Sequence, residues 1–322
     1  MMRDAIVSFP QQFTFKPVIE NSKRLKKKSA FVVAGMGGSN LATELVRSCV
    51  PSTDVIMHRS YDLPNLPKAS LKDRLIIANS FSGNTEETLD TAAKAQKAGL
   101  ALAVITSGGK LLAFAKKHKV SYILEPNTGL QPRMAIGFTI RSLFAFMGMK
   151  DALTQTERLA TTLKPLILEE KGKQLARALK GTVPVIYTSF NYAGLGYNWK
   201  VKFNETGKVP AFCNTIPEMN HTEMTGFDVK SATRALSRGF TFLILQDSAD
   251  HSRIVKRMRI LERLYKERGL RVIVLAITGK TIFDKVFSSF SLADWTAFYT
   301  AAHYGSDPEQ VPMVEEFKRL IA

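Results

Sequence analysis

No apolar run in this chain approaches the roughly 20 residues that a membrane-spanning helix requires. Cysteine is scarce: there are two, Cys49 and Cys213, in 322 residues, and both have apolar neighbours. That count excludes a disulfide framework and fits two reduced core thiols. The opening residues, Met1-Met2-Arg3-Asp4-Ala5, lack the apolar core of a signal peptide. The expected setting is therefore soluble and cytoplasmic, with no membrane partner. Histidine is also sparse, and His58, His118, His221, His251 and His303 are nowhere spaced as metal ligands, so no metal is expected. No G-x-x-x-x-G-K-[ST] stretch exists, which argues against a nucleotide P-loop. Gly35-Met36-Gly37-Gly38 begins as a dinucleotide fingerprint would, but Asn40 stands where the third Gly belongs. Asp54, at the expected distance, opens its strand instead of closing it. No cofactor is expected.

Acid is in short supply. Asp and Glu total 28 against 45 Lys and Arg, a net charge of +17. Such an excess raises nucleic acid as a partner. The basic residues are spread, however, and the longest basic stretch, Arg253 to Arg268, has helical spacing. Ile254, Met258, Leu261 and Tyr265 fall on one side of it, so its charges read as a solvated outer face. With no zinc spacing and no RNA-binding aromatic motif, nucleic acid is not expected, and a general attraction for anionic substrates is.

What the chain does have is short apolar runs alternating with helical stretches. The runs at Ala30–Ala34, Val55–Met57, Leu75–Asn79, Leu102–Thr106 and Ser121–Leu124 read as strands. Those at Val183–Thr188, Val209–Cys213, Phe240–Gln246 and Arg271–Thr278 form a second series. Helices are predicted between them, including Pro132–Met149, one connector from Asp151 to about Lys180, Asn191–Asn204 and Ser252–Arg268. A helix or turn is expected at Thr281–Phe287, then helices at Phe290–Tyr304 and Val311–Ile321. The pattern predicts an α/β protein with two parallel sheets, each flanked by helices on both faces. The predicted domains are residues 1–155, with a helical leader, and 156–322, with a terminal helix. Ligands of such sheets bind at the carboxyl ends of the strands.

One stretch stands at such an end: Asn79-Ser80-Phe81-Ser82-Gly83-Asn84-Thr85-Glu86-Glu87-Thr88. Hydroxyls surround a Gly where a strand turns into a helix. Free N–H groups and the positive end of the helix dipole meet there, which suits a phosphate dianion. Gly83 lets the backbone approach closely. An ordinary N-cap, with Ser82 or Asn84 capping and Glu87 closing a box, would use the same residues. In the second half, Glu205 closes a helix, where the dipole disfavours a carboxylate. His221 lies in a polar segment, and a Glu base with a His acid/base suits proton transfer near neutrality.

Five stretches, taken in order, resemble the bifunctional phosphoglucose/phosphomannose isomerases of the sugar isomerase (SIS) fold. They are Gly35-Met36-Gly37-Gly38-Ser39, Ser80 to Thr88, Gln131-Pro132-Arg133, Asn204-Glu205, and Pro217-Glu218-x-x-His221. Pro312 to Lys318 fits less tightly. The resemblance implies two SIS-type domains and a homodimer in which His221 reaches the neighbouring subunit's site. It implies a sugar phosphate held by Ser80, Ser82 and Thr85, with Ser39 and the backbone of Gly37, Gly38 and Gly83 lining the pocket. Glu205 would move the proton between C1 and C2, Arg133 would stabilise the cis-enediolate, and His221 with Lys318 would assist ring opening. The implied activity is exchange of glucose 6-phosphate and fructose 6-phosphate. A non-catalytic sugar-phosphate regulator built on the same fold is the competing expectation. The family carries Thr-Pro before the terminal helix where this chain has Val311-Pro312, and a Val methyl donates no hydrogen bond. The mannose activity is the one this departure bears on.

Overall fold

The computed structural model describes residues 2–321 and contains two wholly parallel sheets, ordered β2-β1-β3-β4-β5 and β7-β6-β8-β9. The chain divides into two compact units. One is Ser8–Leu163; the other joins the residues up to Val7 to those from Lys164 onward. The chain enters through α1 (Met2–Ser8) and a 3-10 turn, Phe9–Thr14.

In the first unit, β1 (Ala30–Ala34), β2 (Asp54–His58), β3 (Arg74–Asn79), β4 (Ala101–Thr106) and β5 (Ser121–Leu124) form the sheet. β3 and β4 are continuous apolar runs because both faces are covered: Ile76, Ala78, Val104 and Ile105 have no solvent exposure. The connecting helices are α2 (Gly38–Cys49), α3 (Lys68–Lys72), α4 (Glu86–Lys97) and α5 (Gly109–Lys117). α4 turns its small residues, Ala92 and Ala95, onto Ile76 and Val104, which lets helix and sheet come close. α6 (Ile136–Phe146) packs beside α2, and α7 (Lys150–Thr162) closes the unit.

In the second unit, β6 (Val183–Ser189), β7 (Phe212–Ile216), β8 (Phe240–Gln246) and β9 (Arg271–Ala276) repeat the order of the first four strands. Its helices are α8 (Glu169–Leu179), α9 (Ala193–Glu205), α10 (Arg234–Ser237), α11 (Ser252–Glu267), α12 (Ile282–His303) and α13 (Pro312–Ile321). α8 lies so close along α12 that a Cβ on Gly172 would fall 2.4 Å from Cβ of Trp295. α11 buries Met258, Leu261 and Tyr265, the stripe its spacing predicts.

Four boundaries differ most from the sequence reading. The expected connector from Asp151 to Lys180 is two helices parted by a 3-10 turn, Pro165–Leu168, because Pro165 has no N–H to continue the ladder. The helix expected from Pro132 starts instead as a 3-10 turn, Pro132–Met134, and gives way to α6. β7 begins three residues late, past Pro210, which cannot donate to a ladder. The two segments expected on either side of Ser288-Ser289 are one helix of 22 residues, α12. Thr281 and Asp284 close a reciprocal capping box at its start (3.1 and 3.0 Å), and Phe287 and Phe290 both face the core, so no break is favoured.

Candidate active site

In the first unit, three strand-end loops and one later turn interlock at the carboxyl edge of the sheet. After β1, Gly37 takes a positive φ of 50° and Ser39 opens α2. After β3 comes the hydroxyl loop, and after β4 comes Ser107–Gly109. Phe81 N donates to Ser39 Oγ (3.0 Å), and Asn79 Nδ2 donates to the Ser39 carbonyl (2.6 Å). Ser80 Oγ lies 2.8 Å from Thr85 Oγ1 and accepts from Gly83 N at 3.1 Å. Gly83 has φ +71°, and a Cβ there would sit 1.9 Å from the Gly108 carbonyl oxygen. Only Gly fits. The third loop is locked by Ser107 Oγ, which donates to the Phe81 carbonyl (2.6 Å).

Arg133 joins this edge from far along the chain. A Cβ on Gly38 would fall 2.7 Å from Arg133 N and 2.8 Å from Cβ of Pro132, so the glycine makes room for the Pro132–Arg133 turn. Arg133 is 1% exposed. Phe81, Ala135 and Phe138 pack together and tie the hydroxyl loop to the start of α6. Ser39, Ser80, Ser82, Thr85, Gly37, Gly38, Gly83 and Arg133 therefore share one corner of one unit.

The ordinary N-cap does not form. Thr85 takes the N-cap position of α4, and no side chain caps the helix. Asn84 Oδ1 instead accepts from Lys110 N at the head of α5 (3.1 Å). The first N–H groups of α4 thus have no side-chain acceptor from the cap, the arrangement that favours an anion.

Glu205, His221 and Lys318 belong to the second unit. Glu205 is the last residue of α9, and α9 is firmly held. Trp199 Nε1 donates to Ser289 Oγ of α12 (3.1 Å), and the buried Lys202 ammonium pairs with Asp294 of the same helix (2.6 Å). Lys208 Nζ donates to the Glu205 carbonyl (2.5 Å) and also to the Gln310 carbonyl, so the Gln310-Val311 segment is drawn to the end of α9. His221 is exposed at the end of a 3-10 turn, Glu218–Asn220. Its segment is pinned by Glu223, which accepts from Tyr187 Oη (2.5 Å) and Asn214 Nδ2 (2.7 Å). Lys318 is exposed on α13 and pairs with Glu315 (2.8 Å).

A profile described as the bacterial phospho-glucose isomerase C-terminal SIS domain matches residues 168–321. The curated bifunctional phosphoglucose/phosphomannose isomerase of Aquifex aeolicus is 31% identical, across 97% of this chain and 96% of its own length. The chain belongs to the bifunctional phosphoglucose/phosphomannose isomerase family. Its namesake from Caldicellulosiruptor bescii is 33% identical over 90% of this chain and 89% of its own. The tagatose-6-phosphate ketose/aldose isomerase structure from Escherichia coli superposes with a TM-score of 0.70 at 14% identity, covering 95% of this chain and 94% of that one. It shares the fold: two SIS-type parallel sheets flanked by helices. Among the described residues no helix is long and apolar enough to cross a membrane.

Within this isomerase-family chain, two buried ionisable sites escaped the sequence reading. Glu125, just past β5, is 2% exposed; burial pushes its carboxyl up to about 7 against hydrogen bonds from Ser142 and Thr139. Asp247, just past β8, accepts from Lys285 Nζ (2.8 and 2.9 Å), Tyr192 Oη (2.5 Å) and Ala249 N (2.9 Å). Burial alone would raise its carboxyl, but those donors outweigh it and hold it below the usual range. A lone acid after a strand reads as any loop residue, and only the partner from α12 reveals its role.

Proposed function

We propose that this chain is a cofactor-independent aldose–ketose isomerase that interconverts glucose 6-phosphate and fructose 6-phosphate, with mannose 6-phosphate as the second aldose to be tested against Val311. The observation that carries this reading is the uncapped head of α4 beside Ser80, Ser82 and Thr85. A phosphate dianion there takes hydrogen bonds from hydroxyls and backbone N–H groups. The family membership supports the sugar as the remainder of the substrate.

The proposed chemistry is a proton shuttle. The Glu205 carboxylate takes the C2 proton of the open-chain aldose, the electrons of that C–H bond form the C1–C2 double bond, and negative charge moves onto the former carbonyl oxygen. Glu205 then returns the proton to C1, while the O2 proton is lost and O1 gains one, giving the ketose. Arg133 faces the enediolate oxygens; its burial at 1% exposure makes its charge count for more than it would in water. Positioned proton transfer contributes about 10²–10⁴ in rate. His221, supplied by the second copy of a homodimer, and Lys318 assist ring opening. The dimer is supported by α13, which buries none of its residues.

A coupled assay run in parallel on glucose 6-phosphate, mannose 6-phosphate and glucosamine 6-phosphate, without added metal, tests the reading. Turnover of glucose 6-phosphate to fructose 6-phosphate is expected. Binding of all three with turnover of none would overturn it in favour of a sugar-phosphate sensor.

A further inference from the structure

After α9 the chain turns tightly, and it places in that turn a residue that resists it. Lys208 has φ +59°, in the left-handed region that favours glycine. The turn is already held by other groups. Thr206 N and Gly207 N donate to the Lys202 carbonyl (2.9 and 3.0 Å), and Val209 N donates to the Phe203 carbonyl (3.2 Å). Asn204 Nδ2 donates to the Val209 carbonyl (3.0 Å). A Cβ on Gly207 would fall 2.8 Å from the Phe203 carbonyl oxygen, so the backbone folds hard against the helix it leaves. On the inner side, Lys202 pairs with Asp294 of α12 (2.6 Å), and both side chains are buried. A glycine at position 208 would complete this turn with less strain, so the lysine has to be explained by its side chain.

The Lys208 ammonium donates to two carbonyl oxygens, that of Glu205 (2.5 Å) and that of Gln310. The first contact is what any cation does at the end of a helix: it satisfies one of the last carbonyls and meets the negative end of the dipole. The second contact goes further. Gln310 lies 102 residues along the chain from Lys208, directly before Val311-Pro312, where α13 begins. α13 buries none of its residues, so packing of that helix does not fix where the Gln310–Val311 segment lies.

We infer that Lys208 is a positioning residue for the isomerisation: one ammonium ties the Glu205 and Gln310 carbonyls together, and so fixes the backbone from which the Glu205 carboxylate projects. Lys208 touches no reacting atom and acts through Glu205. The inference rests on Glu205 being the proton carrier proposed above. A misplacement of about 1 Å can cost on the order of 100-fold in rate. Lys208 is not among the groups proposed to hold the phosphate, so its loss falls on kcat and spares KM.

Lys208→Gly, Lys208→Met and Lys208→Arg test it, with kcat, KM for fructose 6-phosphate and melting temperature measured on each. Lys208→Gly removes the ammonium and relieves the left-handed backbone. It should melt no lower than native, with kcat down about 10- to 100-fold and KM within a few-fold. Lys208→Met should lose kcat alike, and Lys208→Arg, whose guanidinium can donate to both carbonyls, should keep it within a few-fold. In a Glu205→Gln background, Lys208→Gly should cost nothing further, because the group it positions is gone. Native kcat in the Gly and Met variants would overturn the inference. So would a Gly variant that loses stability, kcat and KM together, or an equal loss of kcat with and without the Glu205 carboxylate. Glu205→Gln alone separates the two readings. Near-native turnover there rejects the base itself, whereas an inactive Glu205→Gln beside a fully active Lys208→Gly keeps the base and rejects the positioning role.

Discussion

The carboxyl ends of β3 and β8 occupy the same place in two sheets of the same order, and they are finished in opposite ways. β3 closes with Asn79 and passes into Ser80; β8 closes with Gln246 and passes into Asp247. Ser80 belongs to a loop of neutral hydroxyls around a left-handed Gly83, with its nearest acids, Glu86 and Glu87, carried by the first turn of α4. Asp247 supplies an anion of its own, and Lys285, Tyr192 and Ala249 N close around it. The difference teaches how two copies of one architecture diverge: the second edge satisfies its donors internally, so an anion arriving there would meet a carboxylate in place of hydroxyls.

The largest break in that comparison should come from Gly83→Ala. The added Cβ would collide with the Gly108 carbonyl at 1.9 Å in a backbone already at φ +71°. We expect kcat/KM to fall more than about 100-fold and stability to drop by about 2 kcal/mol, read by steady-state kinetics and thermal melting. Next come Ser80→Ala and Thr85→Ala. Each removes a hydrogen bond to a charged group, worth about 1.5–3 kcal/mol, so KM should rise about 10- to 100-fold with little change in kcat.

Glu125→Gln sharpens the comparison through pH. The folded state raises this carboxyl from 4.5 to about 7. Between those values the native protein keeps a proton that the unfolded chain has released, so native stability is lost as pH rises through that window. The glutamine variant carries no such penalty. Its melting temperature relative to native should climb from pH 4.5 to 7 and level above, with a full gain on the order of 3 kcal/mol. A difference that stays flat with pH would refute the assignment. The smallest effect on substrate belongs to Asp247→Asn. KM should not move, although the broken Lys285 pair should cost about 2 kcal/mol of stability or more. Because the Asp247 carboxyl is held below its usual 3.8, its contribution is present above that pH and fades as pH falls further. A KM that rises with Asp247→Asn would mean that the second edge also handles phosphate.

Much of this was legible in the residues. The strands announced themselves because buried parallel strands are continuous apolar runs, as Leu75–Asn79 and Phe240–Gln246 are. The hydroxyl loop was legible because its chemistry is local, confined to one strand-to-helix turn. The close approach of Gly38 to the Pro132–Arg133 turn was not: it joins residues nearly a hundred apart. The bridge from Lys208 to Glu205 and Gln310 was hidden for the same reason. α12 was split in two by its serines, since Ser288-Ser289 looks like a break until Ser289 Oγ is seen to accept from Trp199.

The central proposal is that the Glu205 carboxylate moves the substrate proton between C1 and C2. Glu205→Gln tests it most directly, with turnover and fructose 6-phosphate binding measured on the same preparation. The account predicts turnover reduced by at least about 10²–10⁴ while the dissociation constant stays within a few-fold of native. Near-native turnover, or turnover and binding lost together in a chain that melts normally, would contradict it.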